Sequence, residues 1–163
     1  MDDLKEINYG EAIFQGCYQE MEKDNSVFVY GLGVDDQKGH YGTSKDLHRI
    51  FGEKRNFDMP LSEDAMTGVG IGAALAGLRP IYVHQRMDFL LLCMNQLVNM
   101  AAKLRYMSSG EHSVPFVIRA AIGRSWGQGA QHSQALHSYF MHVPGIKVVA
   151  PTTPHDAKGC LVA

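Results

Sequence analysis

Residues Asp58 to Pro80, DMPLSEDAMTGVGIGAALAGLRP, decide how the chain is organised. Pro60 marks a turn, and Ser62 is a helix N-cap that is followed by two carboxylates, Glu63 and Asp64, in the first helical turn. Unpaired N–H groups at that position favour anions. The glycines of the GVGIG run then lie inside the helix, where each is expected to destabilise it by roughly 1 kcal/mol relative to alanine. The stretch therefore predicts an acid at the start of a helix that packs closely against another element.

Short apolar runs alternate with helical patterns along the rest of the chain. This alternation predicts an α/β fold with a mostly parallel sheet. The predicted strands are 27–31, 56–59, 79–83, 115–121 and 146–150, and the predicted helices are 8–23, 44–51, 62 onward, 88–107, 133–142 and 154 onward. Ligands of such sheets bind beyond the carboxyl ends of the strands. The residues after each strand, at 31, 61–63, 84–89 and 123–132, are therefore expected to lie along one rim.

The bulk composition narrows the class of protein. The 163 residues are enough for one domain, and a formal net charge of −2 gives no indication of nucleic-acid binding. Three widely spaced cysteines without a CxxC pair indicate reduced thiols in the cytoplasm or an equivalent organellar matrix. The longest apolar run, Phe89 to Met94, is too short to span a bilayer. The helical pattern from Asp156 stops part-way, so we expect the sequence to be a piece of a longer protein.

Three other kinds of site are weaker interpretations. The GVGIG glycines lie inside a helix instead of the turn before it, so they favour helix packing over a Rossmann site. His132, His137 and His142 are five residues apart, which turns neighbours about 140° away from each other on a helix. No HExxH pattern supports a metal site there, and no GxSxG elbow supports a nucleophilic serine.

Glu63 and His132 are the remaining candidates for chemistry. Taken singly, Glu63 is explained as a helix-start acid and His132 as a loop residue beside a helix cap. Taken together at neighbouring strand ends, with Phe89 on a third loop, they supply a carboxylate, an imidazole and an aromatic wall. Such a set suits proton transfer on a flat heterocycle.

The same residues carry a family resemblance. The run DMPLSEDAMTGVGIGAALAGLRPI resembles the TPISE…G.A.GAA..GLRPI segment in the β subunits of thiamine-diphosphate-dependent 2-oxoacid dehydrogenases (E1). The resemblance continues through AAK at 101–103, QHSQ at 131–134 and PGIKVVAP at 144–151. It implies a three-layer pyrimidine-binding domain over residues 1–163, from which the family's C-terminal domain is absent.

The resemblance also implies roles for five residues. In the family, the glutamate that matches Glu63 bonds N1′ of the cofactor's aminopyrimidine and promotes its imino tautomer. The residue that matches Phe89 stacks on the pyrimidine, and the one that matches Leu61 packs under the ring. Gln85 belongs with them among the cofactor-binding residues. The histidine that matches His132 faces the substrate and assists proton transfer or reductive acylation of the lipoyl group.

The partners follow from what the chain lacks. No GDG…N motif is present, so the resemblance implies that Mg²⁺ and the diphosphate are held mainly by an α-type subunit. It implies an oxidoreductase heterotetramer whose active site forms between subunits, with self-association and a lipoyl-bearing acyltransferase as further partners. The strongly apolar segment Asp88–Met107 is the predicted subunit interface.

Departures from the family pattern leave alternatives open. Leu32 replaces an acidic residue of the family, and Arg124 and Trp126 enter the loop near the substrate side. These changes allow a different 2-oxoacid, a different acyl acceptor or a lost activity. A split transketolase-like ketol transferase, with Arg119 and Arg124 as sugar-phosphate contacts, and a non-catalytic assembly or regulatory paralogue are the alternative functions.

Overall fold

Parallel strand pairing organises the fold. The computed structural model describes residues 6–123 and 128–163. Within those ranges lie four strands, all parallel, in the order β2-β1-β3-β4. The strands are β1 (Val27–Gly31), β2 (Asn56–Phe57), β3 (Arg79–His84) and β4 (Val117–Ala120). The helices of the described chain are α1 (Tyr9–Lys23), α2 (Leu47–Phe51), α3 (Glu63–Leu75), α4 (Ala102–Met107), α5 (Ser138–Met141) and α6 (Pro154–Val162).

The two faces of the sheet are covered by different helices. Because side chains alternate along a strand, Val29 and Val83 face α1 and pack with its Cys17 and Met21. Aromatic residues occupy the opposite face, where the rings of Tyr30 and Tyr82 stack 4.6 Å apart. Met66 of α3 packs against this aromatic layer. The predicted α/β fold, a parallel sheet flanked by helices, is confirmed.

One glycine brings α3 close to the sheet. A Cβ built on Gly70 would lie 2.7 Å from the ring of Phe116 and would collide with the Tyr30 hydroxyl. A Cβ on Gly72 would meet nothing within 4 Å, so the predicted close approach belongs to Gly70 rather than to the whole run. Ser62 occupies the predicted N-cap position, but its side chain makes no capping hydrogen bond.

The prediction of one regular helix over 88–107 is wrong, because the segment changes its helix type along its length. The segment begins as a 3-10 helix at Met87–Cys93, continues as a π-helix at Gln96–Ala101 and ends as α4. Residues three apart eclipse one another in a 3-10 helix, and this places Met87, Leu90 and Cys93 together in the core. The intervening Leu92 is 57% exposed.

The C-terminal third also differs from the prediction. The helix predicted over 133–142 is reduced to α5, preceded by a 3-10 turn at Ala130–His132. Residues 146–150 form no strand in the described chain, although Ile146 and Val148 do pack on the core. The backbone of Gly145 lies against Ala102, the first residue of α4. The helix predicted at 44–51 begins at Leu47.

Across residues 6–123 and 128–163, no helix is both long and apolar enough to cross a membrane.

Candidate functional site

A pocket of about 300 Å³ lies at the carboxyl edge of the sheet. Its walls come from the ends of β1 and β3, from the turn before α3, from the start of α3 and from the 3-10 segment after β3. The lining residues are Leu32, Met59, Leu61, Glu63, Tyr82, Val83, His84, Gln85, Phe89 and Leu92. We call this the first pocket. The structure therefore brings Leu61, Glu63, Gln85 and Phe89 to one place, while their roles stay predictions.

Glu63 is the first residue of α3, so its carboxylate lies where unpaired helix N–H groups favour negative charge. Its carbonyl accepts a hydrogen bond from the Thr67 hydroxyl at 2.8 Å, which fixes the first turn. Burial raises the pKa of Tyr82, and the nearby charge of Glu63 acts in the same direction. The Glu63 carboxylate is thus electrostatically coupled to the inner wall of the first pocket.

The inner wall of the first pocket is made of buried groups that are uncharged at neutral pH. His84 is 3% exposed, and its ring lies 4.3 Å from the Tyr82 ring. Burial lowers the pKa of His84 to about 4. The His84 Nε2 atom lies 3.7 Å from the Cys93 Sγ atom, and burial raises the pKa of that thiol to about 11. Among the lining residues, Glu63 therefore supplies the negative charge.

A second pocket of about 320 Å³ adjoins the first. Its lining residues are Gly33, Asp36, Gly39, His40, Tyr41, Gln85, Arg86, Phe89, Gln128 and His132. Gln85 and Phe89 line both pockets. The Phe89 and His132 rings meet edge to face at 5.2 Å and 79°. Glu63 and His132 therefore lie in adjacent pockets on either side of Phe89.

His132 lies beside a buried acid. Burial acts to raise the pKa of Asp88, yet hydrogen bonds from Gln134 and the proximity of His132 leave it below its ordinary value. The Gln134 side-chain amide donates to the Asp88 carboxylate at 2.8 Å and its backbone N–H donates at 3.2 Å. These bonds fix the loop that carries His132. The His132 Nδ1 atom is buried without a hydrogen-bond partner among the residues that the structure describes.

An arginine and a tyrosine form the far wall of the second pocket. Arg86 is 6% exposed, donates to the Tyr41 hydroxyl and places its guanidinium 5.3 Å from the centre of the Tyr41 ring. The backbone of Tyr41 is left-handed, with φ 52° and ψ 32°. Burial, together with the positive charges of Arg119 and Arg86, lowers the pKa of His40 to about 4.

Sequence reasoning missed four of these residues. Tyr82 and His84 could have been found from the period-2 alternation of RPIYVH, which places them on one face of β3. Arg86 falls within the predicted rim at 84–89, whereas no sequence signal marked Tyr41.

The other predicted residues differ in how they relate to the two pockets. Leu61 is 76% exposed at the pocket mouth. Arg119 donates from Nη2 to the Thr43 hydroxyl at 3.1 Å and lines neither pocket. Arg124 and Trp126 lie outside the described residues. Of His132, His137 and His142, only His132 lines a pocket, and the described ranges contain no group of three His, Cys, Asp or Glu side chains that could hold a metal ion.

The first pocket fits the aminopyrimidine half of thiamine diphosphate. A flat heterocycle needs apolar walls and a few convergent polar groups, and the pocket offers Phe89, Leu92 and Met59 with Glu63 at one side. The lining of the first pocket therefore suits a flat heterocycle with one polar edge.

Comparisons with known proteins agree with this geometry. The family described as "Transketolase, pyrimidine binding domain" matches residues 5–163. The pyruvate dehydrogenase E1 component subunit beta of Gracilaria tenuistipitata var. liui is 44% identical over 158 residues, or 97% of this chain and 49% of that protein. The 2-oxoisovalerate dehydrogenase subunit beta of Bacillus subtilis (strain 168) is 43% identical over 157 residues, or 96% of this chain and 48% of that protein. The chain thus spans about half the length of these curated relatives.

A solved structure shows the same fold. The chain resembles "Split gene transketolase, inactive beta4 tetramer" with a TM-score of 0.75 over 96% of this chain and 47% of that one. The two sequences are 16% identical, so this likeness concerns the fold alone.

Proposed function

This chain belongs to the family of transketolase pyrimidine-binding domains, and we propose that it is the pyrimidine-binding part of the β subunit of a thiamine-diphosphate-dependent 2-oxoacid dehydrogenase. The observation that carries the proposal is the first pocket, in which a single carboxylate, Glu63, faces apolar and uncharged walls. The relatives at 43% and 44% identity are both named as dehydrogenase β subunits.

Glu63 is the proposed catalytic residue of the first pocket. Thiamine diphosphate supplies the carbanion chemistry that cleaves 2-oxoacids. Glu63 would share a proton with the pyrimidine, a contact that is strong where neighbouring groups exclude water. Phe89 and Leu61, which line the first pocket, would hold the pyrimidine, and Gln85 lines both pockets. His132, whose ring meets that of Phe89, would exchange protons with the substrate.

The rest of the cofactor site is proposed to come from a partner. An α-type subunit would bring the diphosphate and Mg²⁺ ligands, and a lipoyl-bearing acyltransferase would accept the acyl group. Exposed apolar side chains support an assembly with more than one β-type copy, since Val69 of α3 and Leu92 are 55% and 57% exposed. We expect the assembly in the cytoplasm or an equivalent organellar matrix.

Ketol transfer by a split transketolase is the weaker candidate. It would need sugar-phosphate contacts, for which Arg119 and Arg124 are the candidates; the Arg119 side chain donates to Thr43 and lines neither pocket, and Arg124 lies outside the described residues. A non-catalytic paralogue remains an alternative, and the experiment below separates it from an enzyme.

Replacing Glu63 tests the proposal. The complex is recovered from source cells through a tag on this chain, and bound thiamine diphosphate is assayed as thiochrome. Glu63→Gln is expected to lower 2-oxoacid-dependent reduction of an artificial electron acceptor by roughly 10²- to 10⁴-fold, since a general acid–base group contributes that much. Exchange of the cofactor C2 proton with solvent deuterium should slow in parallel.

Asp64→Asn is the matched control. It removes a carboxylate from the same helical turn, but Asp64 is exposed and contacts Gln96 rather than the first pocket. Its activity should stay within about twofold of the wild type, as is usual for surface substitutions. Full activity of the Glu63→Gln complex would overturn the catalytic assignment, and recovery of this chain without partner or cofactor would favour the non-catalytic alternative.

A further inference from the structure

A buried carboxylate in the 3-10 segment after β3 has one oxygen that no hydrogen bond satisfies. Asp88 is 7% exposed. Its Oδ1 atom accepts two hydrogen bonds from Gln134, at 2.8 Å from the side-chain amide and at 3.2 Å from the backbone N–H. Its Oδ2 atom is buried without a hydrogen-bond partner among the residues that the structure describes. Because a buried charge is costly unless it is paired, the free oxygen requires a physical explanation.

Asp88 keeps its negative charge at neutral pH in spite of this burial. Burial acts to raise the pKa of Asp88, but the hydrogen bonds from Gln134 and the proximity of His132 leave it below its ordinary value. Within residues 6–123 and 128–163, Asp88 takes part in no salt bridge. His132 is the group near Asp88 whose charge acts on it, and an imidazole can take up a proton in the physiological pH range.

Several contacts hold His132 in place near that carboxylate. The His132 carbonyl lies against the backbone of Gly123, where an added Cβ atom would come within 2.7 Å of it. The His132 ring meets the Phe89 ring edge to face at 5.2 Å. Gln134, two residues further along the chain, is bound by Asp88. Since Asp88 and Phe89 are consecutive in the 3-10 segment, this one segment fixes both the ring and the loop of His132.

The unsatisfied atoms of the two residues complement each other. The His132 Nδ1 atom is also buried without a hydrogen-bond partner in the described part of the chain. While the imidazole is neutral, the negative charge of Asp88 has no positive counterpart. Once the imidazole takes up a proton, the two opposite charges stabilise each other. In Ser-His-Asp hydrolases a buried aspartate acts in this way, because it orients the histidine and stabilises the imidazolium that forms.

The other titratable groups of the second pocket do not supply a buried negative charge. Asp36 is exposed, and solvent screens its charge there. Burial and the positive charges of two arginines lower the pKa of His40 to about 4. Arg86 is positive, so its charge opposes an imidazolium, and it donates a hydrogen bond to the Tyr41 hydroxyl. Stabilisation of an imidazolium by charge therefore falls to Asp88.

We propose that Asp88 is a positioning residue, which holds the loop of His132 through Gln134 and stabilises the imidazolium that forms when His132 takes a proton from the substrate. This inference rests on the proposed function, in which His132 exchanges protons with the substrate. In that step a substrate O–H bond breaks, its electron pair stays on the oxygen, and the proton bonds to a nitrogen of the His132 ring. The Asp88–His132 pair thereby changes from negative to neutral, and return of the proton reverses the change.

Titration of His132 in the complete complex tests the electrostatic part without turnover. The histidines are labelled with ¹³C at Cε1, and His132→Gln identifies the resonance of His132. Asp88→Asn retains an oxygen that can accept both hydrogen bonds from Gln134 but removes the negative charge. The midpoint of the His132 titration is expected to fall by about one pH unit in this variant, the lower end of what a nearby opposite charge produces. Asp88→Ser also removes the charge and serves if Asp88→Asn does not assemble.

Kinetics of the same complexes separate charge from anchoring. Asp88→Asn should lower kcat for 2-oxoacid-dependent reduction of an artificial acceptor by about tenfold, which corresponds to one pH unit of lost stabilisation. KM should stay within about twofold, because Asp88 lines neither pocket. The limb of the pH–rate profile that His132→Gln abolishes should move to lower pH. Gln134→Leu removes the side-chain anchor and keeps the charge, so it should leave that limb in place.

Asp46→Asn is the control for the loss of a carboxylate. Asp46 pairs with the exposed Arg49 and lines neither pocket, so both the His132 midpoint and kcat should match the wild type. An active Asp88→Asn complex with an unmoved midpoint would overturn the inference and leave the dehydrogenase in place. An inactive wild-type complex in which Asp88→Asn still lowers the midpoint would overturn the proposed function and support the coupling of Asp88 to His132.

Discussion

The two pockets share Gln85 and Phe89 but are built from different parts of the fold. The first is formed mainly by the ends of β1 and β3, the start of α3 and the helical segment after β3, and its walls are apolar or uncharged. The second is formed largely by the loops at 33–41 and 128–132, and it carries a guanidinium and two imidazoles. The strands and helices thus form the proposed site for the cofactor's pyrimidine ring, which is the same for every substrate. The loops form the second pocket, whose residues can vary with the substrate.

The buried histidines of the two pockets show the same difference. Burial alone lowers the pKa of His84 in the first pocket to about 4. In the second pocket, burial acts on His40 together with the charges of Arg119 and Arg86. The lining of the first pocket is therefore uncharged apart from Glu63, whereas arginine charges act on the second.

Phe89→Ala is expected to have the largest effect on ligand binding in the two pockets, because Phe89 lines both of them. Removing a phenyl ring that lines both pockets should weaken the binding of thiamine diphosphate and of a substrate analogue by about 10- to 100-fold each. Calorimetry of the complex with each ligand measures the two effects separately.

Leu92→Ala is the control for that change. Leu92 lines only the first pocket and is 57% exposed, so its truncation should weaken cofactor binding by less than Phe89→Ala does and leave the binding of the substrate analogue unchanged. A Phe89→Ala complex that loses the cofactor but keeps the substrate analogue would mean that the pockets are independent.

Leu61, Glu63 and Phe89 of the first pocket and His132 of the second were predictable from the sequence, whereas Tyr41 was not. Leu61, Glu63 and Phe89 follow from helix and strand patterns and from a resemblance that lies in those same elements. Tyr41 owes its place to a left-handed backbone and to a loop contact with Arg86, and neither has a periodic signal. Likewise, the 146–150 run is predicted as a strand but forms none in the structure, where Ile146 and Val148 pack on the core.

Acidification should destabilise the protein through His84 by an amount on the order of 3 kcal/mol between pH 7 and pH 4. The ordinary histidine pKa is 6.5 and burial lowers that of His84 to about 4, so the unfolded chain binds the proton first. The stability is therefore fully present above about pH 6.5 and is lost as the pH falls towards 4. Urea unfolding at several pH values measures this loss of stability. His84→Gln should flatten the slope of the unfolding free energy against pH.

Salt distinguishes His40 from His84 in the same experiment. The charges of Arg119 and Arg86 contribute to the lowered pKa of His40, and salt screens charges at a partly exposed site. Added salt should therefore reduce the pH dependence that His40→Gln removes. The pH dependence that His84→Gln removes should not change with added salt, because it arises from burial next to Tyr82 and Cys93. Equal salt sensitivity of the two parts would contradict the electrostatic difference between the pockets.

The smallest expected effect concerns two stacked tyrosines. Tyr30 donates its hydroxyl proton to the Met66 carbonyl at 2.8 Å, whereas the buried Tyr82 hydroxyl lies beside the Thr67 hydroxyl, which itself donates to the Glu63 carbonyl. Tyr30→Phe should lower the unfolding free energy by about 1 kcal/mol and the Tm by roughly 2–4 °C. Tyr82→Phe should leave both unchanged or slightly raised, because it removes a desolvated polar group. If Tyr82→Phe weakens cofactor binding with no loss of Tm, then its hydroxyl contacts the ligand in the first pocket, and that pocket has a second polar group beside Glu63.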